Sequence, residues 1–275
     1  MALITAEELT RRLGDPDVRI VDCRWYLGNP EGGRAAYLAG HIPTAVHADL
    51  DSDLSGIEGG GRHPLPSPEV FDRTLGKFGI NSGTTVVAYD DLGGAVAARL
   101  WWMLTDQGHA TTYVVDGGLD AWTSAGGTTT VAVPELSVGN AGIALQPWRH
   151  VASIGDIDTK DAHEVLVDVR SPDRYRGESE PVDKRAGHIP GAINLPLADN
   201  LKNSRFRSAQ AIESRFSDAG VSSDTDVVVH CGSGVTACHV ILAAEIAGLP
   251  RPRLYVGSWS EWSSTERPIS TGSHP

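Results

Sequence analysis

The sequence predicts two tandem copies of one α/β domain, each a parallel sheet with helices on both faces. Three observations predict it. The first is an internal duplication: AGHIPTAVHADL at 39–50 returns as AGHIPGAINLPL at 186–197, and VDCR at 21–24 returns as VDVR at 167–170. VVAYD at 86–90 returns as VVVHC at 227–231, and DGGLDAW at 116–122 is echoed by VGSWSEW at 256–262. The order is kept and the spacing is nearly constant, far longer than a solenoid period, so each copy is a whole domain. The second is the alternation of short β-branched runs with amphipathic segments, the pattern of strands and helices in a parallel sheet. The third is composition: 275 residues, 40% hydrophobic and 21% charged, suit two packed cores rather than a disordered chain.

Taken in order, the first domain spans 1–130, the linker 131–148 and the second domain 149–275. In the first, Ala97, Leu100, Trp101 and Leu104 recur on one helix face. The linker is poor in charge. In the second, 165–169 and 227–230 read as buried strands, and 209–219 and 236–247 as helices. Ala237, Val240, Ile241 and Ala244 form the face that matches the first copy. Ligands of such sheets bind beyond the C-terminal strand ends, and Cys231 stands at such an end.

Several function classes are excluded. A formal net charge of −12 leaves no excess of cations for nucleic acid. The start, MALITAEELT, lacks the basic and apolar runs of a secretory signal, and no stretch is long enough to span a membrane. The three cysteines, Cys23, Cys231 and Cys238, fit neither a disulfide framework nor a zinc pattern. No metal or cofactor is expected, and a reducing cytoplasm is the default compartment.

The chemistry concentrates in VVVHCGSGVTACHVILAAEIAG, 227–248. Two glycines allow the backbone after Cys231 to curl. A curled loop entering a helix N-terminus turns its N–H groups inward and makes an anion cradle. The sulfur is expected in that cradle, exposed at the sheet rim, where the donors favour the nucleophilic thiolate and an anionic persulfide alike. Gly232, Ser233, Gly234, Val235 and Thr236 form the cradle. Cys238 on the helix and Cys23 after a first-copy strand are expected to pack as small hydrophobes. His230 next to the cysteine points to the opposite strand face and is expected to pack. His41, His188, Asp22 and Asp168 recur in both copies and are expected to serve the fold.

CGSGVTAC, the paired AGHIP segments and the C-terminal GSWSEW resemble tandem-domain rhodanese-type sulfurtransferases, over nearly the whole chain. Within them, CGSGVTA is most similar to the 3-mercaptopyruvate sulfurtransferase branch. The resemblance implies two rhodanese-like domains, the first inactive, with Asp90 at the position of Cys231. It implies that Cys231 takes sulfur from a small donor, 3-mercaptopyruvate or thiosulfate. A thiol such as thioredoxin, or cyanide, then removes it, and a monomer suffices. Arg174 in SPDRYRG matches an arginine that holds the donor carboxylate. A second arginine is implied some nine residues on; the gap departs from the family's, and Arg185, with Lys184 behind it, is the nearest candidate. A proton relay of Asp51, His63 and Ser233, spanning both domains, is implied as well.

Three alternatives bear on the function. A thiosulfate:cyanide sulfurtransferase would want a cation beside the sulfur, and the loop Gly232–Thr236 has none. A cysteine phosphatase needs arginine six residues after the cysteine, where Ala237 stands. A non-catalytic rhodanese-like binding module would not need the nucleophile.

Overall fold

The structure is a computed structural model that describes residues 2–159 and 163–275. The chain divides into two compact units. One comprises Met1–Gly56, Pro66–Arg149 and Asn203–Phe206; the other comprises Ile57–Leu65, His150–Lys202 and Arg207–Pro275.

In the first unit, β1 (Leu3–Ile4), β2 (Val18–Asp22), β3 (Val46–His47), β4 (Thr85–Tyr89) and β5 (Thr112–Val115) form a parallel sheet in the order β1-β5-β4-β2-β3. Its helices are α1 (Ala6–Arg12), α2 (Gly32–Ala39), α3 (Pro68–Lys77), α4 (Ala97–Asp106) and α5 (Gly118–Ser124). Local sequence sets their starts: Thr5 and Glu8 make a reciprocal capping box for α1, and Ser67 with Pro68 begins α3.

In the second unit, β6 (Val151–Ala152), β7 (Glu164–Asp168) and β8 (Ala192–Asn194) precede the short strand β9 (Leu201–Lys202); β10 (Arg205–Phe206), next in the chain, belongs to the first unit. β11 (Asp226–His230) and β12 (Arg253–Tyr255) complete a parallel sheet ordered β6-β12-β11-β7-β8, the arrangement of the first unit repeated. The helices are α6 (Ile154–Asp158), α7 (Pro172–Tyr175), α8 (Ala209–Asp218), α9 (Ala237–Ile246) and α10 (Ser258–Trp262). Leu166, Val228, Ile189, Tyr255 and Trp259 lie in one buried cluster that fixes the sheet against its flanking elements.

The residues that recur in both copies make the same two braces twice. Arg24 grips the Asp22 carboxylate and the Gly40 carbonyl; Arg170 grips Asp168 and the Gly187 carbonyl. The rings of His41 and His188 stack on Tyr37 and Tyr175 at 3.9 and 3.8 Å. Each of these tyrosines donates its hydroxyl to a backbone carbonyl, of Ala45 or Ala192. These aspartates and histidines serve the fold, as their recurrence suggested.

Two expectations need correcting. Residues 131–148, read as a linker, belong to the first unit: Ala141 and Ile143 are buried, and Trp148 stacks on Trp102 at 5.7 Å and donates to the Pro66 carbonyl. Low charge marked a segment that packs. Helix α9 is not amphipathic, because every residue from Ala237 to Ala244 is buried. A helix apolar all round belongs inside, and the face of Ala237, Val240, Ile241 and Ala244 is part of a wider surface.

Candidate active site

β11 ends at His230 and α9 begins at Ala237, so residues 231–236 link a central strand to a buried helix. The chain curls back on the sulfur. The N–H groups of Ser233 and Gly234 donate to Cys231 Sγ at 3.4 and 3.1 Å. Val235 and Thr236 instead open the first turn of α9, their carbonyls accepting from Cys238 and His239 at 3.1 and 3.2 Å. Gly234 has φ +76°, and a Cβ there would run into the Val256 carbonyl. Only glycine fits both constraints. At Gly232 a Cβ would stand 3.0 Å from Arg62 Nη2 and 3.5 Å from Arg174 Nη1. The missing side chain there lets two guanidinium groups approach the loop.

The C-terminal GSWSEW holds this loop from the other side. Ser258, with φ +54°, accepts the Cys231 N–H on its hydroxyl at 3.2 Å. The N–H groups of Trp259 and Ser260 donate to the carbonyls of Cys231 and Gly232 at 3.0 and 2.9 Å. The loop is thus fixed by backbone contacts along its length, which fixes the direction of the two amides that face the sulfur.

The thiol does not stand exposed at the rim. Cys231 is 1% exposed, and all of 231–235 is buried, because the curled loop folds over the side chain it cradles. Cys238 is also buried, its thiol donating to the Gly234 carbonyl at 3.5 Å. Cys23 is buried too; burial first and then Asp22 push its thiol well above the ordinary value. His230 is wholly buried, its Nε2 3.8 Å from Asp168 Oδ2. Burial holds its pKa below the usual histidine value against the pull of Asp168, and the ring packs inside the sheet.

A chain of opposite charges runs from the sheet to the loop. Arg170, bound to Asp168, also meets Glu180 at 3.3 Å and lies over the Trp259 ring at 4.7 Å. Burial opposes its charge, but Asp168, Glu180 and Cys231 together raise its pKa. Glu180 then takes Arg174 at 2.6 Å and accepts the N–H groups of Val182 and Asp183. Burial works against the Glu180 carboxylate, yet Arg174 and these amides hold its pKa below normal. Asp183 joins Arg174 at 3.4 Å to Arg62. Burial raises its carboxyl pKa, with Arg62 pulling the other way.

Of the residues singled out in the sequence, Cys231, Gly232, Ser233, Gly234 and Arg174 come together. Ser233 Oγ lies 2.8 Å from His63 Nδ1, both side chains buried. Asp51 belongs to the first unit, where the Trp25 indole donates to its carboxylate at 2.9 Å. Arg185 is placed at the end of α10. Its guanidinium donates to the carbonyls of Trp262, Ser263, Thr265 and Arg267, at and beyond the C-terminal end of α10. Sequence reasoning missed Arg62, Glu180 and Asp183. The available signal for Arg62 was the glycine run before it, Gly59–Gly60–Gly61. A cleft of about 450 Å³ opens beside Arg62, lined also by Gly61, Asp183, Lys184 and Ser260. Among the described residues no group of three His, Cys, Asp or Glu side chains is placed to hold a metal ion, and no helix is long and apolar enough to cross a membrane.

The first unit contains the same cradle, filled differently. Asp90 follows β4 as Cys231 follows β11, and its carboxylate accepts four N–H groups, from Leu92, Gly94, Val96 and Ala97, at 2.8–2.9 Å. Leu119 N–H donates to the Asp90 carbonyl at 2.9 Å, as Trp259 does to Cys231. All four partners of the carboxylate are donors, which the ionised form satisfies, although burial raises its pKa. The loop of this unit therefore turns its amides onto a side chain of the protein itself.

Comparison with known proteins agrees with this geometry. The family described as rhodanese-like domain matches residues 5–125 and 155–265. The chain is 42% identical to a probable 3-mercaptopyruvate sulfurtransferase of Pseudomonas aeruginosa, with 98% of each chain covered. It is also 42% identical to a putative thiosulfate sulfurtransferase, SseB, of Mycobacterium tuberculosis, covering 98% of this chain and 97% of the other. The crystal structure of the 3-mercaptopyruvate sulfurtransferase SseA of Escherichia coli superposes with a TM-score of 0.84 at 32% identity, over 94% of this chain and 99% of that one.

Proposed function

The chain belongs to the rhodanese-like domain family, and from that premise we propose that it is a sulfurtransferase that takes sulfur from 3-mercaptopyruvate onto Cys231. The observation that carries this is the pair of N–H groups aimed at Cys231 Sγ from a glycine loop. They stabilise negative charge on the sulfur before the reaction and on the outer sulfur after it.

In the first half-reaction the Cys231 thiolate attacks the donor sulfur. An S–S bond forms, the donor C–S bond breaks, and its electron pair stays on carbon as the enolate of pyruvate. That carbon then takes a proton. Ser233, held by His63, is the hydroxyl available to donate to the enolate oxygen or to pass the proton, with Asp51 as the implied third member of the relay. In the second half-reaction an acceptor thiolate attacks the outer sulfur and Cys231 leaves as a thiolate. The transfer is split into two easier steps. The acceptor is proposed to be a thiol such as thioredoxin, or cyanide, met by a monomer in a reducing cytoplasm.

The choice of donor rests on this chain's residues, because relatives named for either donor are equally similar to it. The loop has no cation of its own, but Arg62 and Arg174 approach Gly232 from other segments, so positive charge alone serves thiosulfate as well. The Ser233–His63 pair favours mercaptopyruvate: pyruvate enolate needs a proton, and sulfite leaving from thiosulfate does not.

Intact-mass measurement after incubation with each donor tests the proposal. Mercaptopyruvate is expected to add one sulfur atom and release stoichiometric pyruvate; no gain from either donor would leave a binding module. Arg174→Ala is expected to lower mercaptopyruvate turnover roughly 10-fold or more, since a charge-assisted contact is worth ~1.5–3 kcal/mol. Steady-state kinetics at matched pH check it, and unchanged turnover would remove Arg174 from the site.

A further inference from the structure

We propose that Arg62 is the second donor-binding residue of this site: its guanidinium, together with that of Arg174, holds the carboxylate of the incoming sulfur donor at Gly232. The inference rests on the proposed sulfur transfer at Cys231.

Three observations converge on it. The first is geometric. Beyond Gly232 and its two chain neighbours, the heavy atoms nearest the position of a Gly232 Cβ are Arg62 Nη2 at 3.0 Å and Arg174 Nη1 at 3.5 Å, one residue from the nucleophile. The second is the use each guanidinium makes of its donors. Arg62 Nη1 is bound by Asp183, and Arg62 Nε is buried with no acceptor among the described residues. Arg174 commits Nε and Nη2 to Glu180, and Nη2 to Asp183 as well. Each thus has one edge fixed by a carboxylate of the protein and another turned to the loop. A carboxylate ligand takes two N–H groups in one plane, and an arginine held along one edge is already oriented for it.

The third is the way the segment is seated. The Arg62 N–H donates to Ser260 Oγ at 3.1 Å, and Ser260 N–H donates to the Gly232 carbonyl at 2.9 Å. Gly61 has φ +81°, and a Cβ there would meet the Gly257 carbonyl at 2.5 Å; a Cβ at Gly60 would overlap the Glu261 carboxylate. The glycines let this stretch lie directly on α10, which itself holds the cysteine loop. The same stretch delivers His63 to Ser233. One short segment therefore brings an anchoring cation and the partner of the proton-donating hydroxyl to one loop.

The carboxylates Asp183 and Glu180 balance the two cations. Arg185, which the family spacing suggested, is occupied by four carbonyls, so the second cation comes from far upstream in the sequence.

Arg62→Gln and Arg62→Lys, each checked for an unchanged melting temperature, separate this role from a structural one. Arg62→Gln is expected to raise KM for mercaptopyruvate roughly 10-fold or more with kcat within threefold, the loss expected for one charge-assisted pair. Arg62→Lys should recover part of that loss, because a point charge replaces a fork. Discharge of the preloaded persulfide to dithiothreitol, an uncharged acceptor, should stay within twofold in both variants. A KM within twofold of wild type in Arg62→Gln, or loading and discharge falling in parallel, would overturn the assignment. A wild-type enzyme that gains no sulfur would instead overturn the transfer reading itself.

Discussion

Cys231→Ser is expected to lower sulfur transfer by at least about 10³-fold while the protein stays folded. A serine hydroxyl keeps its proton near neutral pH, and oxygen does not form the sulfur–sulfur bond on which the transfer depends. The fold tolerates the change because the two amides at Cys231 Sγ accept an oxygen partner readily. The first unit demonstrates this, since its loop closes on the carboxylate oxygens of Asp90 through four N–H groups. Intact mass after donor treatment should show no sulfur on the variant, with thermal unfolding within a few degrees of wild type. Transfer above one tenth of the wild-type rate would place the nucleophile elsewhere.

The duplication was legible because it repeats residues that the backbone requires. GHIP and VDxR recur since each sheet needs its Asp–Arg brace and its stacked histidine. Strand ends were legible to within a residue: 165–169 was expected and Glu164–Asp168 is observed. The cysteine loop was legible because strand, glycines and helix start are contiguous in sequence. What was not legible depends on partners distant in the chain. Arg62 lies 169 residues before Cys231, and its placement follows from how two glycines, Gly60 and Gly61, rest on α10. The surroundings of Arg185 were not legible, because sequence spacing does not reveal the four carbonyls at the end of α10 to which it donates. The burial of Cys231 was missed for a related reason: a loop that aims amides at a sulfur must also wrap it.

The two units fill one loop fold in two ways. Both have a curled loop whose amides point inward, and both hold that loop through a residue in the left-handed region, Gly118 or Ser258. In the first, the loop's own aspartate consumes the donors. In the second, a thiol takes two of them, and the brace arginine Arg170 continues through Glu180 to Arg174 and on to Arg62. The structural brace present in both copies is, in one of them, the base of a charge network beside the Cys231 loop.

Gly234→Ala is the second large effect expected, and it joins stability to chemistry. The residue sits at φ +76°, and the added Cβ would collide with the Val256 carbonyl. Left-handed strain and a backbone collision together cost about 2–4 kcal/mol. The melting temperature of the second unit should fall by roughly 5 °C or more. Relief of the collision moves the Gly234 N–H, the nearer donor to Cys231 Sγ at 3.1 Å. Losing one such preorganised donor typically costs about 10²-fold in rate, so persulfide loading should slow by that order. Gly220→Ala supplies the comparison: φ is +81° there, and nothing lies within 4 Å of an added Cβ. It bears the strain without the collision and stands outside the loop, so it should cost about 1 kcal/mol and leave sulfur loading unchanged. Equal loading rates in the two variants would mean that the Gly234 amide does not act on the sulfur.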